Sequence, residues 1–514
     1  MQVDDGTEAG EAHVHFSRKQ NGTEGRSWVR TLAQVLFVGL CTEAVFSIPY
    51  RSVYLARYSV PLAASVAICA VAAIGICFAF RRVILQGLDR LLMALPMEHK
   101  GWLTFWLILG LAIRLAWILR FPVTLKSDYL VYFQNAAVMA LGQNPHGAFF
   151  PPGFSLFLAP FFMVFGAHLW VCAGCALLLF TATYFLAYAL ALRIQGGLAS
   201  RIAPMLVAVW PGYFMLAGIN CKENFLAVLV PASVLLYLKA SDSESAHKPA
   251  GKTGFRWRFA IAAGLCMGLV ALTQPGYLLF PAVIFGLETL RRTGILMSAA
   301  RTAVFTIAVV AAISPWTYRN YLVFHRIVPI STNGGNVFYR ANNPLANAHF
   351  EAQGELPLPK DEFAADKEGY RMADEWITQN PGAFATLMVR KQIVYLGDDG
   401  LGAYETLKRD LSPSVALYAS LKAISNLYWL VIWALLLLGF PLLFRIRNWR
   451  LWYGALFLPL LYQWVIDSVF ESGPRHHVPY VALFSVLVGL VFESLQSTAR
   501  NQVPGIIEAR EAIK

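Results

Sequence analysis

Four polar residues, Lys126-Ser127-Asp128-Tyr129, follow directly on an apolar segment that is long enough to cross a membrane. Asp128 is the only acidic residue in the segment 122–167. A single carboxylate at a membrane surface could act as a general base that removes a proton from a substrate hydroxyl. The same residue types also suit a helix N-terminus, where Ser127 or Asp128 would cap a helix that begins at Tyr129. The motif therefore predicts either surface chemistry or a helix cap.

The chain around this motif is strongly apolar. Of its 514 residues, 57% are hydrophobic and only 14% are charged, which is typical of a polytopic membrane protein and excludes a soluble enzyme. The formal charge of +12 does not indicate a nucleic-acid partner, because the basic residues lie in separate short loops. We expect an all-α protein with about 12 transmembrane helices, outer-face juxtamembrane helices and a small extramembrane domain. The apolar runs lie near residues 28–48, 58–80, 101–121, 168–191, 200–217, 224–240, 258–273, 276–290, 302–317, 425–444, 450–468 and 478–495.

Loop charge predicts the orientation of these runs. Arg81, Arg82 and Arg90 follow the second run, so this loop and the N-terminus are expected in the cytoplasm, and Asp128 lies outside. Residues 152–166 would reach only ~22 Å as a helix, less than the ~30 Å hydrocarbon core. We therefore expect this segment to lie in, or re-enter, the outer leaflet. That choice keeps three further basic loops inside: 248–258, 291–301 and 445–450.

The organisation along the chain follows from this topology. It comprises a cytoplasmic tail (1–27), two extra N-terminal transmembrane helices (28–100), a core (101–317) with a first outer loop (122–167), an outer-face domain (318–424), C-terminal transmembrane helices (425–495) and a second cytoplasmic tail (496–514). Within the outer-face domain, we expect a strand at Arg326–Ile330 and a turn at Asn333–Gly335. Helices are expected over Glu368–Ile377 and Ala383–Leu396, with a break at Asn380–Gly382.

A set of short motifs runs in order through about residues 101–495. They are Leu141–Pro145, Pro151–Gly153, Val164–Gly166, Arg319–Tyr321, Ser331–Gly335, Asn342–Pro344, Trp376–Ile377, Asn380–Pro381 and Pro474–His476 with Pro479. In order and spacing this set resembles membrane-embedded glycosyltransferases of the C superfold, and is most similar to the lipid A aminoarabinose transferases and protein O-mannosyltransferases.

The resemblance implies transfer of a sugar from a polyprenyl-phosphate donor to an envelope acceptor on the non-cytoplasmic face, with inversion. The acceptor could be lipid A, another glycan, a lipid or a protein. It also implies an integral protein of the bacterial inner membrane, surrounded by membrane lipids, with its active site facing the periplasm or cell exterior. Many relatives carry an acidic–basic pair where this chain has Phe149 and Phe150. No cofactor is therefore certain, the metal site is unknown, and a divalent cation is left open.

The resemblance assigns the acids of the site. Asp128 aligns with the first-loop acid that relatives use at the acceptor and is the candidate base. Glu223 is the second candidate catalytic acid, the alternative being a solvated helix cap, and Lys222 could hold a phosphate or pair with Glu223. The remaining first-loop candidates are Lys126, Tyr129 and His146.

Arg475 is the main candidate for binding the donor phosphate, because a guanidinium stays charged and its forked donors match phosphate oxygens. His476 lies next to it. Tyr318 and Arg319, just past the seventh core span, are further phosphate candidates. For each of these four residues the alternative is anchoring at the membrane interface.

Two other functions fit the composition. A lipid or glycolipid transporter or flippase would show paired halves or broken helices in matching positions, and the sequence has no such symmetry. A catalytically inactive assembly subunit of the same fold would explain Phe149 and Phe150. An assay with a labelled polyprenyl-phosphate sugar distinguishes the three functions. A glycosyltransferase transfers the label, a transporter only moves it across the membrane, and an inactive subunit does neither.

Overall fold

The computed structural model describes residues 8–55, 59–145, 147–241, 254–348, 356–408 and 415–502, and all regular structure within them is helical. The first helices are α1 (Glu8–Leu55), α2 (Val60–Ala79), α3 (Arg81–Met93), α4 (Trp102–Arg120), α5 (Ser127–Ala140), α6 (Gly153–Phe165) and α7 (Leu169–Ile194). Then come α8 (Ala199–Val209), α9 (Pro211–Met215), α10 (Lys222–Ala240), α11 (Trp257–Thr273), α12 (Pro281–Leu290) and α13 (Ile295–Phe324).

The later helices are α14 (Gly334–Ala341), α15 (Glu362–Gln379), α16 (Pro381–Leu396), α17 (Leu401–Ala403), α18 (Val415–Leu443), α19 (Trp449–Trp452), α20 (Leu458–Val469) and α21 (Val481–Gln502). Short 3₁₀ turns occupy Leu216–Gly218, Pro275–Leu279 and Val478–Tyr480. Single π-helical turns occupy Tyr404–Lys408 and Tyr453–Phe457.

The predicted fold class is confirmed, because each of the twelve apolar runs coincides with a helix or with consecutive helical segments. In the described part of the chain, eight helices are long and apolar enough to cross a membrane, or nine if α8 and α9, bent by 46°, form one span. Helix α11, with 17 residues, and the segment Pro275–Leu290 are shorter than the ~20 residues of a perpendicular span. The count of twelve spans therefore stays a prediction.

The apolar helices carry the chain back and forth between two faces of the protein. On one face the indole of Trp102 donates to the carbonyl of Arg201 at 3.2 Å, and the guanidinium of Arg30 contacts the carbonyl of Phe444. On the opposite face the Asn220 amide donates to the carbonyl of Tyr129 at 3.1 Å. The basic loop residues Arg193, Arg256 and Arg291 lie near one another, and the candidate site residues lie on the second face.

Helices α5 and α6 form a hairpin on the face that carries the candidate site. The hydroxyl of Ser155 in α6 donates to the carbonyl of Tyr132 in α5 at 3.0 Å. Gly153 lets α6 approach α11 closely, since a Cβ there would lie 2.3 Å from the hydroxyl oxygen of Thr273. Helix α6 ends at Gly166, whose φ is 79°. Its 13 residues agree with the short segment expected to lie in or re-enter one leaflet, and that placement stays a prediction.

The expected strand at Arg326–Ile330 is wrong, because this segment is irregular and the described residues contain no strand. Side chains of α13 take up its carbonyl groups in place of a partner strand: Asn320 donates to Val328 at 3.0 Å and the indole of Trp316 donates to Ile330 at 2.9 Å. The neighbouring boundaries also differ. Helix α13 continues past the expected domain boundary at 318, a helix replaces the turn from Gly334 onward, and α15 begins earlier than expected.

Candidate active site

Three charged residues from distant parts of the sequence meet at one point. The guanidinium of Arg475 lies between two carboxylates: its Nε is 3.1 Å from Glu223 Oε1, and its Nη2 is 3.5 Å from Asp128 Oδ2. The Glu223 side chain is 1% exposed, whereas that of Asp128 is 34% exposed. Glu223 therefore holds Arg475 from the buried side, and Asp128 contacts it from the side open to the surroundings.

Asp128 does not cap its helix. Helix α5 begins at Ser127, its N-cap residue is Lys126, and no side-chain capping hydrogen bond is made there. Asp128 Oδ1 instead accepts a hydrogen bond from the Ser127 hydroxyl at 3.3 Å. Ser127 has a φ of 50°, in the left-handed region, a conformation that persists in a residue other than glycine only where the surrounding structure holds it. The capping interpretation is therefore wrong, and Asp128 is available to the ion cluster.

Tyr129 connects the first outer loop to the arginine. It is buried, its hydroxyl accepts a hydrogen bond from Arg475 Nη1 at 3.3 Å, and its carbonyl accepts one from Asn220. Burial raises the pKa of the Tyr129 hydroxyl well above its ordinary value. Tyr129 therefore stays neutral beside the charged groups.

The first turn of α10 supplies Glu223 and Lys222. The thiol of Cys221 donates to Glu223 Oε2 at 2.7 Å, and the helix N-terminus favours a carboxylate at this position. Lys222 lies close enough to Asp128, Glu223 and Arg475 for their charges to interact. Because Glu223 is buried, it is not the solvated cap that was the alternative.

Arg475 belongs to a series of turns between α20 and α21. His476 N donates to the carbonyl of Gly473 at 3.2 Å, and Val478 N donates to the carbonyl of Arg475 at 3.1 Å. Burial disfavours the charged guanidinium, but the carboxylates of Glu223 and Asp128 outweigh it and raise the pKa of Arg475 well above its ordinary value. Arg475 is thus a permanent cation inside the cluster.

The structure does not bring His476 to the same point. Its Nδ1 lies 3.0 Å from Asp467 Oδ1. Burial disfavours the imidazolium, but the Asp467 carboxylate prevails and raises the pKa of His476. His476 therefore belongs to a neighbouring buried polar cluster.

Tyr318 and Arg319 lie away from the three charged residues. Arg319 donates to the carbonyl of Pro145 at 3.0 Å and to the side chain of Asn144 at 3.2 Å, so it ties α13 to the first outer loop. Tyr318 is 64% exposed and lines an apolar groove of roughly 620 Å³. The groove is lined by Leu278, Val310, Ile313, Ser314, Thr317, Tyr318, Tyr321, Ile327 and Pro329.

The other first-loop candidates are Lys126 and His146. Lys126 is exposed just before α5, and His146 lies outside the described residues. Among the residues that the structure describes, no three His, Cys, Asp or Glu side chains gather where they could hold a metal ion. The Arg475 guanidinium lies between Asp128 and Glu223.

Several further buried polar residues lie beside the site, and of these Lys391 and Asp467 were not predicted, whereas His477 was a weaker phosphate candidate whose alternative was anchoring at the membrane interface. Lys391 donates to Asn342 Oδ1 at 2.8 Å and to the carbonyl of Val469 at 3.0 Å, and burial lowers the pKa of Lys391 to about 7. His477 Nε2 lies 2.7 Å from Asp399. Asp467 could have been found as an acid inside an apolar run, which marks a functional candidate.

Comparison with known proteins yields similarity in structure only. No protein-family model and no curated protein matches the chain. The chain is similar to the apo crystal structure of the Archaeoglobus fulgidus oligosaccharyltransferase, with 12% identity and a TM-score of 0.46 over 80% of this chain and 52% of that one. The same enzyme, AglB, in complex with an inhibitory peptide and a dolichol-phosphate gives 13% identity and a TM-score of 0.46 over 81% of this chain and 52% of that one.

A second kind of protein is also similar. ArnT from Cupriavidus metallidurans bound to undecaprenyl phosphate gives 13% identity and a TM-score of 0.39 over 79% of this chain and 80% of that one. The chain thus spans about half the length of the archaeal enzyme, 52%. At these identities and TM-scores the likeness carries no argument about activity, which is inferred from this chain's own residues.

Proposed function

We propose that this protein is a glycosyltransferase that moves a sugar from a polyprenyl-phosphate donor to an acceptor of the cell envelope, on the non-cytoplasmic face of the membrane. The observation that carries the proposal is the meeting of Asp128, Arg475 and Glu223 on one face of a polytopic helical protein. An accessible carboxylate beside a held guanidinium supplies two requirements of the reaction: a base for the acceptor and a cation for the departing phosphate.

In the proposed reaction, Asp128 takes the proton of the acceptor hydroxyl. The acceptor oxygen forms a bond to the anomeric carbon, and the bond from that carbon to the phosphate oxygen breaks. The electron pair of the broken bond goes to the phosphate, which leaves with the lipid. Attack from the face opposite the phosphate inverts the anomeric centre. Phosphate is a good leaving group, so Arg475 needs only to offset its charge.

The two acids have different tasks in this scheme. The contact of Arg475 with Asp128, at 3.5 Å, is longer than that with Glu223, at 3.1 Å. A phosphate that enters from the open side can replace the longer contact and leave Asp128 free to act as base. Glu223, buried beneath, keeps the guanidinium in position, and Lys222 adds a second positive charge near the phosphate.

The apolar groove offers a place for the lipid part of the donor. Leu278 lines the groove, and the adjacent Tyr277 is buried close enough to Glu223 for the two groups to interact electrostatically. We propose that a lipid chain occupies the groove with its phosphate end directed toward the charged cluster. Exposed apolar surface of this kind suits an isoprenoid chain.

The test uses the purified full-length protein in proteoliposomes with a labelled polyprenyl-phosphate sugar and an envelope extract. Wild type should transfer the label to a product that no longer carries the lipid phosphate. Asp128→Asn, which keeps the shape but removes the base, should slow transfer by about 10²–10⁴-fold, whereas Asp128→Glu keeps some activity. Asp374→Asn, on the exposed surface of α15, is the matched control and should transfer normally.

Three outcomes would contradict the proposal. Label that crosses the bilayer without being transferred indicates a transporter. The absence of both transfer and crossing indicates an inactive assembly subunit. Transfer by Asp128→Asn at the wild-type rate removes Asp128 from the mechanism. If transfer occurs, a mass comparison of envelope glycolipids with and without the gene identifies the sugar and acceptor.

A further inference from the structure

Helix α1 precedes the part of the chain that carries the motifs, and one end of it packs directly against the turn 397–400. Arg51 Nε lies 3.9 Å from Asp398 Oδ2, and both side chains are buried. The backbones also touch, since a Cβ on Gly397 would lie 2.8 Å from the carbonyl oxygen of Ser47. This turn is therefore shaped by α1.

Helix α18 holds the same turn from the other side. Lys422 Nζ lies 2.9 Å from Asp398 Oδ2, and Asp399 N donates to Asn426 Oδ1 at 2.8 Å. The Asn426 amide in turn donates to the Ser52 hydroxyl of α1 at 3.1 Å. Two adjacent buried acids thus receive a defined set of partners from α1 and α18, and the turn has little freedom to move.

Asp399 connects this turn to the loop of the candidate site. Its Oδ1 lies 2.7 Å from His477 Nε2, and its Oδ2 accepts from the indole of Trp210 at 3.1 Å. The His477 ring is fully buried and stacks on Trp429, with centroids 4.6 Å apart and planes at 18°. His477 therefore cannot shift without losing both contacts.

His477 lies two residues after Arg475 in a tight series of turns. The amide of Val478 donates to the carbonyl of Arg475 at 3.1 Å, and the amide of Tyr480 donates to the carbonyl of His477 at 3.0 Å. The backbone of Arg475 is consequently fixed on one side by His477. Its guanidinium then meets Asp128 and Glu223 at the distances given above.

We propose that α1 positions the phosphate-binding arginine. Arg51, acting through Asp398, Asp399 and His477, holds the loop that places Arg475 between the two carboxylates. This inference rests on the proposed function. Arg51 and His477 are positioning residues, since neither contacts the reacting groups, and small displacements of a catalytic group from such changes can be costly in rate.

The experiment compares Arg51→Met with Arg30→Met. Both substitutions remove a guanidinium from α1, but Arg30 lies at the other end of the apolar part of the helix, Trp28–Val53, against the carbonyl of Phe444. In the transfer assay, Arg51→Met should lower kcat/KM by roughly ten- to a hundredfold, mainly through a higher KM for the donor. Arg30→Met should stay near wild type, and Arg51→Lys, which keeps the charge, should restore most of the loss.

Two further measurements separate positioning from general support. In an Arg475→Ala background, Arg51→Met should add little, because the two changes act on the same interaction. Hydrogen exchange should speed up locally in residues 473–480 of Arg51→Met and not in Arg30→Met, whatever activity the protein has.

The outcomes are distinguishable. Equal losses in Arg51→Met and Arg30→Met, a full further loss in the Arg475→Ala background, or unchanged exchange in residues 473–480 would each overturn the positioning role. Local exchange changes in a protein that transfers no sugar would support positioning while rejecting the proposed function.

Discussion

At the scale of the residue, a single guanidinium is shared by two carboxylates of unequal exposure. Glu223 is almost wholly enclosed and Asp128 is partly open. A buried charge is costly unless it is paired, and removing one partner of such a pair leaves an uncompensated charge. The inner contact therefore stabilises the cluster, and the outer contact is the one a substrate can exchange.

Changing Arg475 tests this assignment. Arg475→Ala should weaken use of the donor more than use of the acceptor, because one charged contact to phosphate is lost, at a cost of about 1.5–3 kcal/mol. Arg475→Lys keeps a charge without the forked donors and should give an intermediate effect. Initial rates over donor and acceptor concentrations provide the measurement. An unchanged dependence on donor concentration would assign Arg475 to a structural role only.

The buried Lys391 predicts a pH dependence of stability. Burial lowers the pKa of its ammonium to about 7 in the folded protein, against roughly 10.4 in an unfolded chain. At pH values between these two, Lys391 is protonated in the unfolded chain and neutral in the folded protein. Its destabilising effect on folding is therefore complete below pH 7 and becomes smaller as the pH rises.

Lys391→Met removes the titrating amino group. We expect its stability relative to wild type to be most favourable below pH 7 and to decline toward pH 10, by at most about 1.4 kcal/mol per pH unit. Thermal unfolding in detergent across this range measures the difference, with the exposed Lys360→Met as control. Parallel curves for variant and wild type would mean that Lys391 stays charged throughout.

At the scale of the element, close approach of helices depends on residues without a side chain. Gly153 at the start of α6 lies against the end of α11, where a Cβ would also come within 2.7 Å of the backbone nitrogen of Thr273. Such contact with backbone cannot be relieved by rotating a side chain. The hairpin that follows Asp128 therefore depends on this glycine for its position.

Gly153→Ala should destabilise the protein by about 1–3 kcal/mol, in the range found when groups are inserted into well-packed interiors. It should also slow transfer, because α6 is bonded to α5, which carries Asp128. Gly174→Ala in α7, where a Cβ would meet nothing within 4 Å, is the matched control. The melting temperatures and transfer rates of the two variants are compared. Equal values would show that close contact of α6 with α11 does not require a glycine at position 153.

At the scale of the whole molecule, the helices separate two kinds of loop. Arg193, Arg256 and Arg291 lie near one another on the face opposite the site, which is the distribution expected of cytoplasmic loops. The ion cluster lies on the other face. This separation predicts that the site faces away from the cytoplasm.

Accessibility of introduced cysteines checks the orientation. Lys100 and Lys360 are both exposed. Lys100 is close in sequence to Trp102, which contacts Arg201 on the face of the basic loops, and Lys360 is close to Glu362, which accepts a hydrogen bond from the Ala148 amide near the site. In intact cells, a membrane-impermeant thiol reagent should label Lys360→Cys and spare Lys100→Cys, with both labelled after the cells are opened. The parent protein with its seven cysteines provides the background. The reverse pattern would place the site in the cytoplasm and reject polyprenyl-linked transfer outside.

The sequence by itself determined the class of the protein and the approximate position of its helices. In a lipid environment the backbone of an apolar run has no hydrogen-bond partner except itself. The length and position of such runs therefore predict helices directly. Helix α16 was expected to end at Leu396, and it does. The charges of Asp128, Glu223 and Arg475 at the ends of such runs, together with the family resemblance, predict these residues as site candidates.

Only the tertiary structure decided which of these residues meet. Asp128 reaches Arg475, whereas His476 binds Asp467 and Arg319 binds the first outer loop. The strand expected at Arg326–Ile330 is absent because side chains of α13 occupy its carbonyl groups. Pairing across hundreds of residues depends on how helices pack, and a local pattern of apolar and polar residues carries no information about that packing.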